Sequence, residues 1–415
     1  MKAQRKARAV TAALAGVLAL TTPARAATLL RTDTPAAYRL APDAQAVSGS
    51  ESTAGAPLLQ PGTHTYRDTI EPGRRKYYTV RLEAGSSAYV SAVAVPRPGS
   101  SMGTRDGIDV ALEAPNGAQC GLVRHRTFLS VGGAYPVADY AERAADTSGV
   151  CAAAGTYRFS VERGDAAGGD AAAVPLELKY MTGNRDSTLL GDPADTPAAT
   201  GGGPGPVRAG SGFNDAVAIR PGTLDDEIGP GETHFYRVPV AAGERLAASA
   251  RFGDAPDAAG SSYVLTGLRM GLNNAARGYV TNKTAGYRGT PATLTLTTPP
   301  AADGADATGG DTARGMRLAG WYYLQVSLNP KVGQGRPEGA RIPLTLTVDV
   351  GKTLKPIPQP ESQPRTAPAS QRTAAGHRDS RLRLVGYAGV STGSLLLLAL
   401  GGWTFAARRT RRTRR

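Results

Sequence analysis

The sequence predicts an all-β protein with two tandem β-sandwich domains, residues 55–183 and 213–351. Three observations support this prediction. Apolar and polar residues alternate in short segments, turn residues separate those segments, and an internal repeat recurs at an offset of 158 residues. Between the two ends of the chain, the one candidate for a helix is short, at residues 137–145. Short alternating strands joined by turns are typical of β-sandwiches.

Residues 1–26 have the features of a secretory signal peptide. A basic start is followed by an apolar run at 9–20, and Ala24-Arg25-Ala26 is a small-x-small cleavage site. The basic residues of the start are Lys2, Arg5, Lys6 and Arg8. The apolar run is too short to span a bilayer core of about 30 Å. Residues 27–54 are small and polar, which predicts an irregular N-terminal segment.

The two predicted domains repeat the same motifs in the same order. The paired segments are 68–73 with 226–231, 77–82 with 235–240, 155–161 with 320–326, and 174–178 with 342–346. Within one of them, Tyr78, Val80 and Leu82 alternate with polar residues, which predicts a strand with one apolar face. Lys76 and His234 occupy equivalent positions, which suggests a tolerant surface site on that strand.

The motifs of the first repeat resemble those of the bacterial pre-peptidase C-terminal domain. The motifs that carry the resemblance are Asp68-Thr69-Ile70, Pro72-Gly73, Lys76-Tyr77-Tyr78-Thr79-Val80, Ala84-Gly85, Gly107-Ile108-Asp109-Val110-Ala111-Leu112, Pro115-Asn116-Gly117, Ala154-Gly155-Thr156-Tyr157 and the strand at 176–180. The second repeat keeps the beginning and the end of the pattern but diverges over 263–300. The resemblance implies a jelly-roll-like sandwich and a non-catalytic accessory role, although this chain has no catalytic domain beside it.

Two segments have the composition of linkers. Residues 184–212 include Gly201-Gly202-Gly203-Pro204-Gly205-Pro206, which predicts a Gly/Pro linker between the domains. Residues 352–383 contain five spaced prolines, which favour an extended stalk.

The C-terminal end has the features of a membrane anchor. Residues 384–407 carry no charge and are long enough to span a bilayer as one helix. Residues 408–415 contain six arginines, which predict a basic cytoplasmic tail and an extracellular ectodomain. A cell-wall sorting signal is the alternative, but it needs an LPxTG-type motif, which 370–383 lacks. Gly389 and Gly393 form a GxxxG motif, a candidate for helix packing in a homodimer.

The charge of the chain argues against a nucleic-acid partner. The formal net charge is +14, but the signal peptide and the tail hold most of the excess and leave about +3 for the remainder. A nucleic-acid binder needs a concentrated basic face on its folded part. The chain holds 40 arginines against eight lysines and is rich in alanine and glycine, a bias that indicates a GC-rich, actinobacterial source.

Cys120 and Cys151 are the two cysteines of the chain. In an exported protein this pair predicts a structural disulfide within the first domain. A redox-active pair is the alternative, but there is no CxxC motif.

The remaining candidates for chemistry are weak, and the sequence predicts no catalytic, cofactor-binding or metal-binding residue. Residues 99–103 match GxSxG but lie in a predicted loop without the strand and helix of a nucleophile elbow. Asp303, Asp306 and Asp311 fit a solvated acidic loop better than a calcium site. Three aromatic pairs offer possible sugar platforms, with one member of each expected in the core: Tyr77-Tyr78, Phe235-Tyr236 and Tyr322-Tyr323.

The leading hypothesis is therefore a non-enzymatic binding or adaptor protein of the cell surface. Its expected partner is an extracytoplasmic protein or a component of the cell envelope, and no cofactor is expected. Two alternatives stay open: a hydrolase that acts on wall polymer or peptide, and an accessory subunit of a membrane complex that acts through its span.

Overall fold

A computed structural model describes residues 37–128, 135–144, 147–183, 207–255, 262–301, 310–337 and 339–354. These residues form an all-β structure with four sheets. All of these described residues fall within one compact unit. We call residues 37–183 the first half and residues 207–354 the second half.

The first half contributes ten strands in two five-stranded sheets. One sheet has the order β1-β3-β10-β5-β8 and the other β2-β4-β9-β6-β7. The strands are β1 (Gln45–Ala46), β2 (Leu58–Leu59), β3 (Tyr66–Ile70), β4 (Arg75–Leu82), β5 (Ser87–Ala94), β6 (Gly107–Glu113), β7 (Gln119–Thr127), β8 (Val137–Arg143), β9 (Gly155–Arg163) and β10 (Val174–Gly183).

The second half contributes nine strands, also in two sheets. Their orders are β11-β13-β18-β15-β16 and β12-β19-β14-β17. The strands are β11 (Val217–Ala218), β12 (Gly222–Ile228), β13 (Thr233–Val240), β14 (Arg245–Phe252), β15 (Val264–Asn273), β16 (Tyr279–Tyr287), β17 (Ala292–Thr297), β18 (Gly320–Leu328) and β19 (Ile342–Gly351).

Apart from β1, which has no counterpart among the described strands of the second half, the two halves share one strand order. Segments that match in sequence form matching strands, so that β4 pairs with β9 as β13 pairs with β18. The match extends to single bridges, because Ser50 pairs with Tyr77 as Gly210 pairs with Phe235. Gly73 and Gly231 precede the matching strands with φ of 68° and 84°, a left-handed conformation that glycine adopts without strain.

Each half encloses its own core between its two sheets. Tyr78, Val80 and Leu82 of β4 are buried in the first core, as the alternation predicts. Tyr236, Val238 and Val240 of β13 are buried in the second. Alternating strands therefore bury one face inside each half, as expected for β-sandwiches.

The local prediction of a short helix was wrong. Residues 137–143, expected as part of a short helix, form strand β8, which pairs with β5 along its length. Most of β8 is buried, so it lacks the alternation that identifies a strand with one exposed face. The described helix α1 lies elsewhere, at Gly310–Gly315.

The predicted signal peptide and the transmembrane segment at 384–407, with Gly389 and Gly393, lie outside the described residues. Within the described residues, no helix has the length and apolar character needed to cross a membrane. Two residues of the segment predicted to be irregular form β1, a short parallel strand beside β3. The predicted domain limits stay predictions.

Candidate functional site

The two halves meet through a buried interface. The sheet that contains β5 and the sheet that contains β18 contribute their outer faces to it. The apolar side chains that pack together there are Val93, Val95 and Ala138 of the first half, and Phe213, Ala216, Ala218, Phe235, Trp321 and Tyr323 of the second. Strands β5 and β18 are therefore buried on both faces.

A buried ion pair joins the halves beside this apolar cluster. Arg277 Nη1 lies 3.0 Å from Glu177 Oε1, and both side chains are almost fully buried. Tyr38 and Asn214 donate hydrogen bonds of 2.7 and 2.8 Å to the same carboxylate. Burial alone would raise the pKa of Glu177, but Arg277 and the two hydrogen bonds outweigh it and lower that pKa. Glu177 is thus held ionised inside the interface.

A second ionic cluster joins the halves around Asp139, which is fully buried on β8. Arg314 of α1 lies 2.8 Å from its carboxylate, and Arg126 of β7 lies 2.7 Å away. Arg126 also pairs with Asp311 at 2.8 Å. Asp311 therefore has partners across the interface, so the expectation of a solvated acidic loop was wrong for this residue. Asp303 and Asp306 lie outside the described residues.

A cleft of about 190 Å³ opens between the halves next to this cluster. Both halves line it, and most of its lining residues have polar side chains. The lining residues are His125, Arg126, Thr127, Tyr135, Val137 and Ala138 of the first half, and Arg269, Asn273, Tyr279, Asn282 and Gln325 of the second. We call this space the interhalf cleft.

Arg269 lies at the buried end of the interhalf cleft and is only 5% exposed. Its Nη1 donates a hydrogen bond of 3.1 Å to Gln325 Oε1, and Gln325 in turn donates to Asn273. Burial lowers the pKa of Arg269, and the nearby Tyr135 and Tyr279 raise it by less. Among the described residues, no carboxylate lies within ion-pair distance of this guanidinium.

The outer part of the cleft carries a second guanidinium and an imidazole. The guanidinium of Arg126 stacks over the Tyr279 ring, 4.0 Å from its centroid. His125 is exposed and hydrogen-bonds to Asp109. The acidic residues near the mouth thus already have basic partners, and the cleft favours a negatively charged or polar group.

Each half also contains the same buried cluster of an aspartate, a cation and a tyrosine. In the first half, Asp68 accepts hydrogen bonds from Lys76 at 2.7 Å and from Tyr78 at 2.8 Å. In the second half, Asp226 takes this place, with His234 and Tyr236 as its partners. The prediction of a tolerant surface site was wrong, because Lys76 and His234 are largely buried and paired with acids.

The His234 imidazole lies between two carboxylates. Nδ1 is 2.6 Å from Asp226, and Nε2 is 3.0 Å from Glu232. Burial opposes its charge, but these two carboxylates outweigh burial and raise the pKa of His234. Glu232 also pairs with Arg341 at 2.7 Å, and although burial opposes ionisation, its hydrogen bonds with His234 and Arg341 lower its pKa to about 2. This arrangement favours an imidazolium that donates from both nitrogens.

The predicted disulfide is present. Cys120 and Cys151 are bonded, with their Cα atoms 5.8 Å apart, and join the end of the β6–β7 hairpin to the 3₁₀ turn before β9. The GxSxG segment lies between β5 and β6, outside any strand or helix, as predicted. Of the proposed sugar platforms, Phe235, Tyr236, Tyr322 and Tyr323 are buried, and Tyr77 is partly exposed.

The interhalf cleft itself was missed from the sequence, because its residues are brought together by packing between the halves. One local signal was present. Arg269 interrupts a strand whose neighbours Leu268 and Met270 are apolar and fully buried. A charge in such a strand needs a partner or a ligand.

Comparisons with known proteins give no family. No protein-family model matches the chain, and no curated protein matches it. Among solved structures, it is similar to the N-terminal CBM22-1–CBM22-2 tandem domain of Xyn10C from Paenibacillus barcinonensis, with 11% identity over 70% of this chain and 88% of that chain and a TM-score of 0.19. It is also similar to the extracellular domain of ANXUR2 from Arabidopsis thaliana, with 12% identity over 71% and 92% and a TM-score of 0.19. The human MASP-1/3 CUB1-EGF-CUB2 domain gives 8% identity over 68% and 99% and a TM-score of 0.17. Similarities with TM-scores this low carry no argument about function.

Proposed function

We propose that this chain is a non-enzymatic binding protein of the cell surface that takes its ligand in the interhalf cleft. The observation that carries the proposal is the cleft itself, because residues from both halves line it and leave hydrogen-bonding groups facing one space. Such concave sites between packed units are common places for ligands. The ligand belongs to an extracytoplasmic protein or to a component of the cell envelope.

The proposed architecture is two tandem, jelly-roll-like sandwich domains of the pre-peptidase C-terminal kind. Support comes from the sequence motifs and from the common strand order of the two halves. Residues 1–26 direct export, residues 384–407 form a single span, and residues 408–415 form the cytoplasmic tail. The disulfide supports an oxidising location for the ectodomain.

Capture of the partner from native cells tests this function. The full-length tagged protein is purified in mild detergent and its companions are quantified by mass spectrometry. Thr127→Trp fills the mouth of the cleft from an exposed position on β7. Val123→Trp, on the same strand but away from the cleft, is the matched control.

We expect a stoichiometric companion with the wild type and with Val123→Trp, and its loss with Thr127→Trp. Equal capture by all three proteins would show that the cleft is not the binding site. Chemical turnover of the captured material would contradict the non-enzymatic assignment. A Gly389→Ile/Gly393→Ile variant, placed in the same assay, tests whether a homodimer through the span is needed for capture.

A further inference from the structure

Arg269 differs from the other buried arginines of the described chain. Its strand, β15, is the central element between β16 and β18, and the adjacent residues are core residues. Each of the other buried arginines contacts a carboxylate or several carbonyl oxygens. Their partners are Asp106 for Arg163, Glu177 for Arg277, Asp139 for Arg314, and the carbonyls of Glu83, Ser86 and Ala153 for Arg143. Arg269 has one amide oxygen, that of Gln325.

An unpaired buried charge is costly, by several kcal/mol even after the surroundings relax. Arg269 therefore lowers the stability of the protein unless something else pairs with it. Groups that destabilise a fold in this way are typical of binding sites, where the missing partner is the ligand.

The contacts of the guanidinium show which of its nitrogens have a partner. A side chain at Gly271 would meet Nη2, Cζ and Nη1 of Arg269 at 3.0–3.2 Å, so the guanidinium lies face-on over this glycine. The Tyr135 ring is 5.6 Å away. Nη1 is occupied by Gln325, whereas Nε and Nη2 donate no hydrogen bond within the described part of the chain. These two nitrogens form the edge that binds planar oxyanions through two parallel hydrogen bonds.

We propose that the interhalf cleft binds an oxyanion group, a carboxylate or a phosphate, through Nε and Nη2 of Arg269. This inference rests on the proposed function and names the chemistry of its ligand. The cleft, at about 190 Å³, is smaller than the roughly 300–1,000 Å³ typical of sites that enclose a whole small molecule. It therefore takes one acidic group of a longer ligand. Neighbouring acids do not compete, since Asp139 and Asp311 are paired with Arg126 and Arg314.

The test uses the full chain in mild detergent and three probes: inorganic phosphate, glucuronate, and glucose as the neutral control. A ligand that binds the folded state raises the thermal midpoint in a saturable way. At constant ionic strength, we expect a saturable rise with phosphate or glucuronate and none with glucose. Phosphate alone identifies a phosphoryl ligand, and glucuronate alone identifies a carboxylate.

Two variants locate the effect. Arg269→Met keeps the length of the side chain and removes the charge, and we expect it to weaken binding at least tenfold without lowering the midpoint in the absence of a probe. Gly271→Ala keeps the charge but displaces the guanidinium, and we expect weaker binding again. Arg74→Met, at an exposed arginine of the first half, is the control that keeps full binding.

The proposal is overturned if neither oxyanion gives a saturable rise up to about 100 mM, or if Arg269→Met and Gly271→Ala bind as the wild type does. Retention of the cellular partner by Arg269→Met, with its loss in Thr127→Trp, would reject the oxyanion but keep the cleft as the binding site. Retention by both variants would reject the proposed function as well.

Discussion

The first and second halves share their strand order but stabilise equivalent positions by different chemistry. At the last residue of β9, Arg163 forms a fully buried ion pair with Asp106. The equivalent residue of β18 is Leu328, which is buried among apolar side chains. At the first residue of β4, Arg75 pairs with Glu162, whereas in the second half Thr233 hydrogen-bonds to Ser327. The first half has a disulfide, and the described part of the second half has no cysteine.

Features that the two halves share are candidates for those that specify the fold. The halves have in common the alternation of apolar residues, the glycine turns and a buried aspartate–tyrosine pair, and they form the same sheets. The ion pairs and hydrogen bonds at the equivalent positions compared above differ between the halves, although the strand order is the same. We therefore expect these interactions to determine the stability of each half and its dependence on pH. The more deeply an interaction is buried, the larger the loss in the free energy of unfolding should be when it is removed.

The largest effect is expected from the Arg163→Leu substitution, which copies the residue of the second half. It leaves the Asp106 carboxylate buried without its partner, and it also removes donors from the carbonyls of Ile70 and Ala172. Loss of one member of a buried pair costs about 3–5 kcal/mol. Urea unfolding of the full-length protein, followed by fluorescence, measures this loss.

The Asp106→Ala/Arg163→Leu double variant is the control for that prediction. It leaves no buried charge, so part of the stability should return. If the single variant is as stable as the wild type, then this pair does not stabilise the first half.

Removal of the disulfide should have the next largest effect. Cys120→Ala/Cys151→Ala opens a loop with a sequence separation of 31 residues. The chain-entropy relation gives a loss of about 3–4 kcal/mol in the free energy of unfolding. Reduction of the wild type should give the same loss. Amide hydrogen exchange should increase mainly in the first half, and an equal increase in both halves would contradict the assignment.

The third prediction concerns the cluster of aspartate, cation and tyrosine. The pKa of His234 is raised in the folded protein, so its contribution to stability is complete below the ordinary imidazole value of about 6.5 and is lost as the pH rises through the folded pKa. The expected loss is on the order of 1 kcal/mol. His234→Lys copies Lys76 of the first half and should remove this pH dependence.

Urea unfolding of the wild type and His234→Lys across neutral and mildly alkaline pH measures the difference. Lys76→His, the reciprocal change, should introduce a smaller slope, because it places the imidazole beside Asp68 alone and position 74, equivalent to Glu232, holds an arginine. If the wild type and His234→Lys lose stability in parallel, then His234 does not titrate as its contacts with Asp226 and Glu232 require.

The smallest effect is expected at the surface. The Arg75→Thr/Glu162→Ser variant converts the exposed ion pair of the first half into the hydroxyl pair of the second. Exposed ion pairs contribute little, so the free energy of unfolding should change by less than about 1 kcal/mol. A larger loss would mean that burial does not determine how much these polar interactions contribute to the free energy of unfolding.

The sequence predicted the strands that bury a single face, the disulfide and the common pattern of the two halves. It failed for β8, because a strand buried on both faces has no alternation to detect. It also failed for the Lys76 and His234 positions, since the acids that pair with them, Asp68 and Asp226, lie on the adjacent sheet.

The interhalf cleft could not be predicted from the sequence for a further reason. The contacts that frame it join residues far apart in sequence, such as Asp139 with Arg314. Neither half displays the site by itself, and no local pattern encodes the packing of one sheet face on another. Only the charge of Arg269 within an apolar strand pointed to it.

The most direct test of the central claim is hydrogen exchange of the full-length protein with and without the oxyanion probe that stabilises it. The claim is that both halves contribute to one binding site. We predict slower exchange in peptides from β7 of the first half and from β15 and β16 of the second, with no change in peptides from β12 or β17. Protection confined to one half, or protection that misses these three strands, would contradict it.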